Sequence, residues 1–537
     1  MRQMPQHFSK TLAIAGVAGV SALLLAVLSF FAVTRPLWND ELMAMVNYPL
    51  GGLRALFEPL PFYQQAAPPL FNLVCSLLSG LDPVWGRTIL LAAITLGVVG
   101  EVVRTYRSAA AAAATLLAVA IIPSFVPMAS ELKYYGLEIL GMTAAATWLL
   151  RKDREAPVLG RDVILLACVV LLGISTMVFA PLALAVHIIL RWRSSFRLHW
   201  REIALLACFL AGLAAYYLAV RHATSLQIGT YGQAYDQRGA RSVVLLVRLM
   251  HGNAGRFLDP LLVAAVLVTL SDWRGSRSMR LIVYSAIVGL AFFALAFLGL
   301  FPASAWRHVV WIDGLFVVCI ANAAHLLATR TAFASSGLAR AGAAAVACSA
   351  LLALVSPVRT LTLRHPFTST DNDKAILDLL NRPEGQVGLW IHSQPAIEYY
   401  KRLEPALERF DFFGGVNVAS APLPADMAYP NSLSASYAET SSRIERTRNQ
   451  PGAWGRLTFY SDRRDYSAPA ASFVADAPRQ TPFLIFLSFV DLESDDPGMN
   501  ARVGGLMRAL QDNGCTSSAV SNGLKYSILL AECGSSN

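Results

Sequence analysis

Long apolar runs recur along the first two thirds of this 537-residue chain and stop near residue 356. Because about 20 apolar helical residues cross a lipid bilayer, these runs predict membrane spans. An apolar stretch at 66–80 is too short to cross and is predicted to be an interfacial or re-entrant helix within a long outer loop, residues 35–84. The pattern predicts a polytopic α-helical membrane protein of about 11 spans, at 11–33, 85–104, 109–128, 135–150, 162–178, 181–191, 203–220, 257–271, 281–301, 308–328 and 338–356.

The distribution of charge predicts how the chain is oriented. Residues 1–356 carry 27 Lys and Arg against 15 Asp and Glu, whereas residues 357–537 carry 17 against 20. The basic residues of the first part concentrate in alternate loops, which places the N-terminus in the cytoplasm. An odd number of spans then places the C-terminal part outside. Membrane loops account for the excess of base, so the charge predicts no nucleic-acid partner.

The chain is predicted to divide into two domains. Residues 1–356 form the membrane domain, and its first apolar run, about 23 residues long, is predicted to be a retained anchor because it is too long for a signal peptide. Residues 357–537 alternate helical and strand patterns, which predicts a small extracytoplasmic α/β domain. The expected elements are helices at 371–381, 394–402 and 498–512, and strands at 386–391, 483–490 and 525–532, with a loop-rich stretch at 414–450.

Two cysteines flank the last predicted strand. Because the C-terminal domain is placed in an oxidising compartment, Cys515 and Cys533 are predicted to form a disulfide, with two free thiols as the alternative. The other five cysteines are scattered, and none of the seven has a metal-type spacing.

Two adjacent carboxylates, Asp40 and Glu41, directly follow the first span and the interfacial residue Trp38. One interpretation is structural, because acidic residues cap and stabilise the start of a helix. The other is catalytic. Neighbouring helical residues diverge by about 100°, so the pattern favours one general base with one supporting acid over an acid/base pair.

A second polar segment, Ser130 to Tyr135, precedes the span at 135–150. Glu131, Tyr134 or Tyr135, and Glu138 are spaced to share one helix face. An ionisable residue inside a span is a functional candidate; an interhelical hydrogen bond or an interfacial aromatic belt is the structural alternative.

A third segment, Trp306 to His308, opens the span at 308–328, with Asp313 further along the chain. An arginine at this depth binds a phosphate through two hydrogen bonds, whereas snorkelling is the structural alternative. Four more basic residues are predicted in an outer loop, against the positive-inside trend: Arg221, His222, Arg238 and Arg241.

Carboxylates, tyrosines and cations thus converge on one predicted membrane face. Sugar transfer from a polyprenyl-phosphate carrier needs these groups. The lipid tail needs an apolar groove, the phosphate needs cations, and the acceptor hydroxyl needs a base. Stabilisation of the leaving phosphate is a large catalytic term in such a reaction.

Three ordered stretches resemble the N-terminal core of the GT-C membrane glycosyltransferases: WNDE, APPLFNLVCSLLSGLDPVWGRTILLAAITLGVV and ASELKYYGLEIL. The likeness is strongest to the bacterial relatives of protein O-mannosyltransferase, the lipid A aminoarabinose transferase and the Rgt-type core transferases. It covers residues 11–190 well and 191–356 only in general character. Where relatives carry Glu-x-Arg-Tyr, this chain carries Glu-Leu-Lys-Tyr, so Lys133 offers a point charge in place of a bidentate group.

The resemblance implies a site. It assigns catalysis to Asp40 and Glu41, with Asp40 as the base of an inverting transfer. It assigns substrate binding to an acidic-aromatic segment and a basic turn: Glu131, Lys133, Tyr134, Tyr135, Arg307 and His308.

The implied reaction uses a polyprenyl-phosphate sugar and an envelope glycan, lipid or protein acceptor, in the bacterial inner membrane. No cofactor is expected, although some members of the family use a divalent metal. A lipid-linked sugar transporter or flippase would use the same cations without chemistry. Transporters often show internal repeats, and this chain shows none, which favours the enzyme.

Overall fold

The structure is a computed structural model. It describes residues 6–37, 39–46, 67–78, 80–153, 155–195, 199–230, 258–301, 306–329, 371–390, 393–414, 467–475, 477–488, 497–523 and 525–534. The chain divides into two compact units. The first comprises Met1–Thr34, Ala67–Leu218 and Ala234–Pro366, and the second comprises Arg35–Ala66, Ala219–Gln233 and Phe367–Asn537.

Helices account for almost all of the regular structure in the first unit. They are α1 (Gln6–Thr34), α3 (Pro69–Leu78), α4 (Pro83–Tyr106), α5 (Ala109–Ile121), α6 (Phe125–Ser130), α7 (Tyr135–Arg151), α8 (Gly160–Leu172), α9 (Ile174–Phe179), α10 (Pro181–Ser195), α11 (Trp200–Thr230), α12 (Leu258–Ser271), α13 (Ser276–Phe297) and α14 (Ile312–Thr329). The last part of α11 belongs to the second unit. A short 3₁₀ turn, Trp306–His308, precedes α14.

Six helical segments among the described residues are long and apolar enough to cross a membrane. They are Ile14–Thr34, Pro83–Tyr106, Ile174–Ser194, Trp200–Val220, Ser276–Phe297 and Ile312–Thr329. The predicted class, a polytopic helical membrane protein with a small C-terminal α/β domain, is confirmed. The number of spans remains a prediction, and the span predicted at 338–356 and the domain boundary beside it lie outside the described residues.

Two predicted spans are interrupted. The run 109–128 is split because Ile122, which precedes a proline, is extended. The run 162–178 is split at Gly173, where an added Cβ would approach the Glu138 Cγ to 2.2 Å. The Glu138 carboxylate accepts a 2.6 Å hydrogen bond from the Ser175 N–H there. The helix therefore breaks at the point where the buried Glu138 side chain lies against the backbone and accepts a backbone hydrogen bond.

The second unit contains a five-stranded sheet. Its strands are β1 (Gln386–Leu389), β2 (Asp411–Gly414), β3 (Phe483–Ser488), β4 (Cys515–Gly523) and β5 (Tyr526–Cys533), in the order β2-β1-β3-β5-β4. β1 is parallel to β2 and β3, whereas β5 is antiparallel to β3 and β4. The helices of this unit are α2 (Asn39–Met45), α15 (Asn372–Leu380), α16 (Gln394–Lys401), α17 (Ser467–Ala475) and α18 (Pro497–Asp512), with a 3₁₀ turn at Pro405–Arg409.

Burial explains which of these elements the sequence indicates. All six residues of β3 are buried, as expected of a central strand covered on both faces. The three helices and three strands predicted after residue 370 are all present. β2 and β4, the two edge strands of the sheet, were not predicted, and β4 is largely polar. The loop-rich stretch 414–450 lies outside the described residues except for its first residue.

The disulfide predicted between Cys515 and Cys533 is present. The two residues are paired across the β4–β5 hairpin, so the bond joins the first residue of β4 to the last residue of β5.

A polar cluster joins α15 to the β4–β5 hairpin. The carboxylate of Asp378 accepts hydrogen bonds from the Tyr526 hydroxyl (2.6 Å), the Lys374 ammonium (2.9 Å) and the Ser521 hydroxyl. Burial alone would raise the pKa of Asp378, but these three donors outweigh it and hold the pKa below its ordinary value. Burial, followed by the bond to Asp378, raises the pKa of Tyr526.

The lowered pKa of Asp378 predicts a pH dependence. Because its pKa is lower in the folded than in the unfolded chain, Asp378 contributes stability above its unfolded pKa of about 4, and this is lost as the pH falls through the folded value. In thermal unfolding of the full chain at pH 7, the Tm of Asp378→Asn should therefore lie below that of the wild type. The difference should shrink below about pH 4. A difference that stays constant down to pH 2 would contradict this role for the ionised carboxylate.

Candidate functional site

The acidic pair lies in α2, in the second unit. Asp40 is the second residue of this helix and Glu41 the third. The residues from Glu41 to Val46 are all buried. The sequence interpretation treated this region as part of an outer loop, residues 35–84, of the membrane domain. The structure instead groups the described part of this region that carries the acidic pair, residues 35–37 and 39–46, with the C-terminal unit.

Glu41 forms a buried ion pair with Arg35. Arg35 Nη1 lies 3.2 Å from Glu41 Oε2, and the two side chains are 5% and 0% exposed. An ionised carboxylate in such a place is retained only if a cation faces it. The Glu41 carboxylate is therefore held against a buried guanidinium, at the position next to Asp40 in the chain.

The second polar segment is a turn between two helices. α6 ends at Ser130 and α7 begins at Tyr135, while Glu131 is extended and its carbonyl accepts the Lys133 N–H at 2.6 Å. The expectation that Glu131 and Glu138 share one helix face is wrong, because the backbone leaves the helix between them. We refer to residues 131–134 as the acidic-aromatic turn.

The side chains of the acidic-aromatic turn are largely buried. Glu131 is 1% exposed and Lys133 5%, and the following Tyr135 is 6% exposed. The Tyr134 ring lies 4.9 Å from that of Tyr135 and meets the Phe71 ring of α3 edge to face at 5.8 Å. The structure thus brings four of the predicted substrate-binding residues together beside the apolar helix α3.

A cation that the sequence interpretation missed lies in the same unit. Arg87, in the first turns of α4, is 1% exposed and donates to the carbonyl of Val33 at the end of α1. Its neighbour Gly86 lies against Leu132 of the acidic-aromatic turn, 3.5 Å from an added Cβ. An arginine near the start of an otherwise apolar run was the signal that could have identified it. Arg35, next to the first span, gave a similar signal.

Arg307 and His308 lie in the 3₁₀ turn that leads into α14, and both are half-buried. An aromatic cluster packs behind this turn: the Trp311 ring lies 4.5 Å from that of Phe179 and 5.2 Å from that of Phe292. Asp313 is completely buried and accepts a hydrogen bond from the Ser124 hydroxyl. The turn is therefore followed directly by closely packed side chains.

The remaining predicted cations lie in α11 or outside the described residues. Arg221 and His222 lie within helix α11, which continues to Thr230 where an outer loop was expected. Arg238 and Arg241 lie outside the described residues. Asp40 and Glu41 belong to the second unit, whereas the acidic-aromatic turn and Arg307 belong to the first.

No group of three His, Cys, Asp or Glu side chains within the described ranges could hold a metal ion. The absence of a metal therefore remains a prediction.

Comparison with known proteins identifies the fold. No family model matches the chain, and no curated protein matches it. The crystal structure of ArnT from Cupriavidus metallidurans bound to undecaprenyl phosphate is similar, with a TM-score of 0.54 and 14% sequence identity, covering 96% of this chain and 98% of that one. The apo structure of the same protein gives a TM-score of 0.52 at the same identity and coverage. At this identity the likeness establishes a shared fold along nearly the whole chain.

Proposed function

We propose that this chain, which has the fold of ArnT, is a membrane glycosyltransferase that moves a sugar from a polyprenyl-phosphate donor to a hydroxyl group. The acceptor belongs to an envelope glycan, lipid or protein on the outer face of the bacterial inner membrane. The N-terminus is cytoplasmic and the C-terminal unit extracytoplasmic. The donor lipid is a co-substrate, and we assign no metal or other cofactor.

The observation that carries the proposal is the similarity of nearly the whole chain to a structure of ArnT bound to undecaprenyl phosphate. The likeness includes the C-terminal unit as well as the membrane helices, since 96% of the chain is covered. Further support comes from the clustering of Glu131, Lys133, Tyr134 and Tyr135 at one turn.

In the proposed reaction Asp40 accepts the proton of the acceptor hydroxyl. The acceptor oxygen forms the new bond to the anomeric carbon as the bond from that carbon to the phosphate oxygen breaks, so the configuration inverts. Lys133 and Arg307 balance the charge of the leaving polyprenyl phosphate, and His308 contributes to binding it. Glu41 keeps Arg35 paired beside the base, and Glu131 and the tyrosines bind the substrates.

Loss of Arg307 should weaken donor binding. A hydrogen bond to a charged group contributes about 1.5–3 kcal/mol, so Arg307→Ala should raise the Kd for undecaprenyl phosphate about 10-fold or more. The purified full chain in nanodiscs allows this Kd to be measured directly. The matched control is Arg104→Ala, which removes an arginine that is 64% exposed at the end of α4. An unchanged Kd in Arg307→Ala would indicate that the arginine only snorkels.

The proposed function is tested in two steps. Mass spectrometry of envelope glycans from a deletion strain identifies the sugar and acceptor that are lost. The purified chain is then reconstituted in liposomes with that undecaprenyl-phosphate sugar and acceptor supplied on the outer side only. We expect glycosylated acceptor and free undecaprenyl phosphate in equal amounts. Movement of the lipid between leaflets without product would instead support the flippase alternative.

A further inference from the structure

The helix that carries the acidic pair is built into the C-terminal unit. Only seven residues long, α2 is too short to be stable by itself. It lies against α16, and both helices belong to the same compact unit. Every residue of α16 is buried. The position of Asp40 therefore depends on the contacts by which the rest of the C-terminal unit holds α2.

A buried asparagine holds the chain just before α2. Asn372, at the start of α15, is completely buried, and its Nδ2 donates to the carbonyl of Leu37 at 2.9 Å. Its Oδ1 accepts the hydroxyl of Ser488 at 2.9 Å. The Ser488 N–H in turn donates to the hydroxyl of Ser393, which donates to the Phe486 carbonyl. The amide of Asn372 is thus oriented by the end of the central strand β3.

An arginine holds the other end of α2. Arg402, directly after α16, donates from Nη2 to the carbonyl of Val46 at 3.1 Å. Val46 is the first residue after α2. Asn372 and Arg402 therefore each donate a hydrogen bond to the backbone, one on either side of α2. Both bonds are to main-chain carbonyls, so they do not depend on the side chains of α2.

We propose that Asn372 and Arg402 are positioning residues that hold α2, and with it Asp40, in the place needed for proton transfer. This rests on the proposed function. The two residues act through the backbone of α2 and need not touch a substrate. Their loss should lower the rate of the chemical step, because a base displaced by about 1 Å can lose about 100-fold in rate. Binding of the lipid phosphate, assigned to the other unit, should be unaffected.

The test uses the full chain in nanodiscs and three readouts. These are hydrogen exchange of the amides in 37–46, kcat for transfer of the identified sugar, and the Kd for undecaprenyl phosphate. In Asn372→Ala and in Arg402→Ala we expect exchange in 37–46 to rise at least 10-fold and kcat to fall at least 10-fold, with Kd unchanged. The unaltered Kd separates positioning from a general loss of folding.

The matched control is Arg382→Ala. Arg382 is another half-buried arginine of the same unit, and it donates to the Val520 carbonyl of β4 rather than to α2. We expect it to leave exchange in 37–46 and kcat close to wild type. Arg402→Ala also provides an answer if Asn372→Ala does not fold.

Each other outcome is decisive. Unchanged hydrogen exchange in 37–46 in both variants would show that Asn372 and Arg402 do not hold α2. Increased exchange with an unchanged kcat would overturn the positioning role. If the wild-type chain transfers no sugar, the proposed function fails, and the exchange data still show whether the two residues hold α2.

Discussion

Asp40→Asn lowers kcat for sugar transfer by about 10²–10⁴-fold, the usual contribution of a general base, while the protein keeps its fold. The substitution preserves the shape of the side chain and removes only its ability to accept the acceptor proton. The rate is measured in liposomes with the donor and acceptor found in the deletion strain. The Kd for undecaprenyl phosphate should stay at the wild-type value, because Asp40 is assigned to the acceptor.

Asp82→Asn is the matched control for this variant. Asp82 caps α4 by accepting the Val84 N–H at 2.8 Å, and asparagine caps a helix equally well. The same change of charge should therefore leave the rate near wild type. An Asp40→Asn protein that retains full transfer activity would remove Asp40 from the role of base.

Glu41→Leu destabilises the chain by about 3–5 kcal/mol, the typical cost of removing one partner of a buried ion pair. The reason is that the Arg35 guanidinium, 5% exposed, loses the carboxylate that faces it. Unfolding of the second unit is followed by thermal denaturation and by proteolysis of the full chain. The double variant Arg35→Met/Glu41→Leu should recover most of the loss, because apolar groups of similar volume replace a buried pair at little cost.

An exposed ion pair provides the comparison. Arg104 Nη1 lies 3.7 Å from Glu101 Oε1, and the Arg104 side chain is 64% exposed. Arg104→Met should cost less than about 1 kcal/mol. If Glu41→Leu costs no more than Arg104→Met, Glu41 is not needed to hold Arg35, and its role as a supporting acid has to be reconsidered.

Elements with a strong local signal could be predicted from sequence. The apolar runs gave α1, α4 and α14, and the buried run at 483–490 gave β3, because burial on all sides leaves an uninterrupted apolar pattern. Elements whose form depends on distant partners could not. At the break beside Gly173, the Glu138 side chain fills the space that a side chain would need. β4 exists only because it pairs with β5.

The candidate site divides in the same way. The motif residues Glu131 to Tyr135 were found because their polarity stands out between apolar spans. Their arrangement as a turn was missed, since a spacing of three, four and seven residues also fits a continuous helix. Arg35 and Asn372 could not be assigned roles, because the first acts through a carboxylate six positions away and the second through a carbonyl 335 positions away.

That last separation governs when α2 can be completed during biosynthesis. Synthesis proceeds at about 5–20 residues per second, so Leu37 leaves the ribosome on the order of 20–70 s before Asn372 exists to receive it. Throughout that interval the acidic helix lacks the hydrogen bonds on both sides that fix it. A nascent chain can thus form its early helices well before α2 is held in place, and the position of α2 is set only after the last third of the chain has been made.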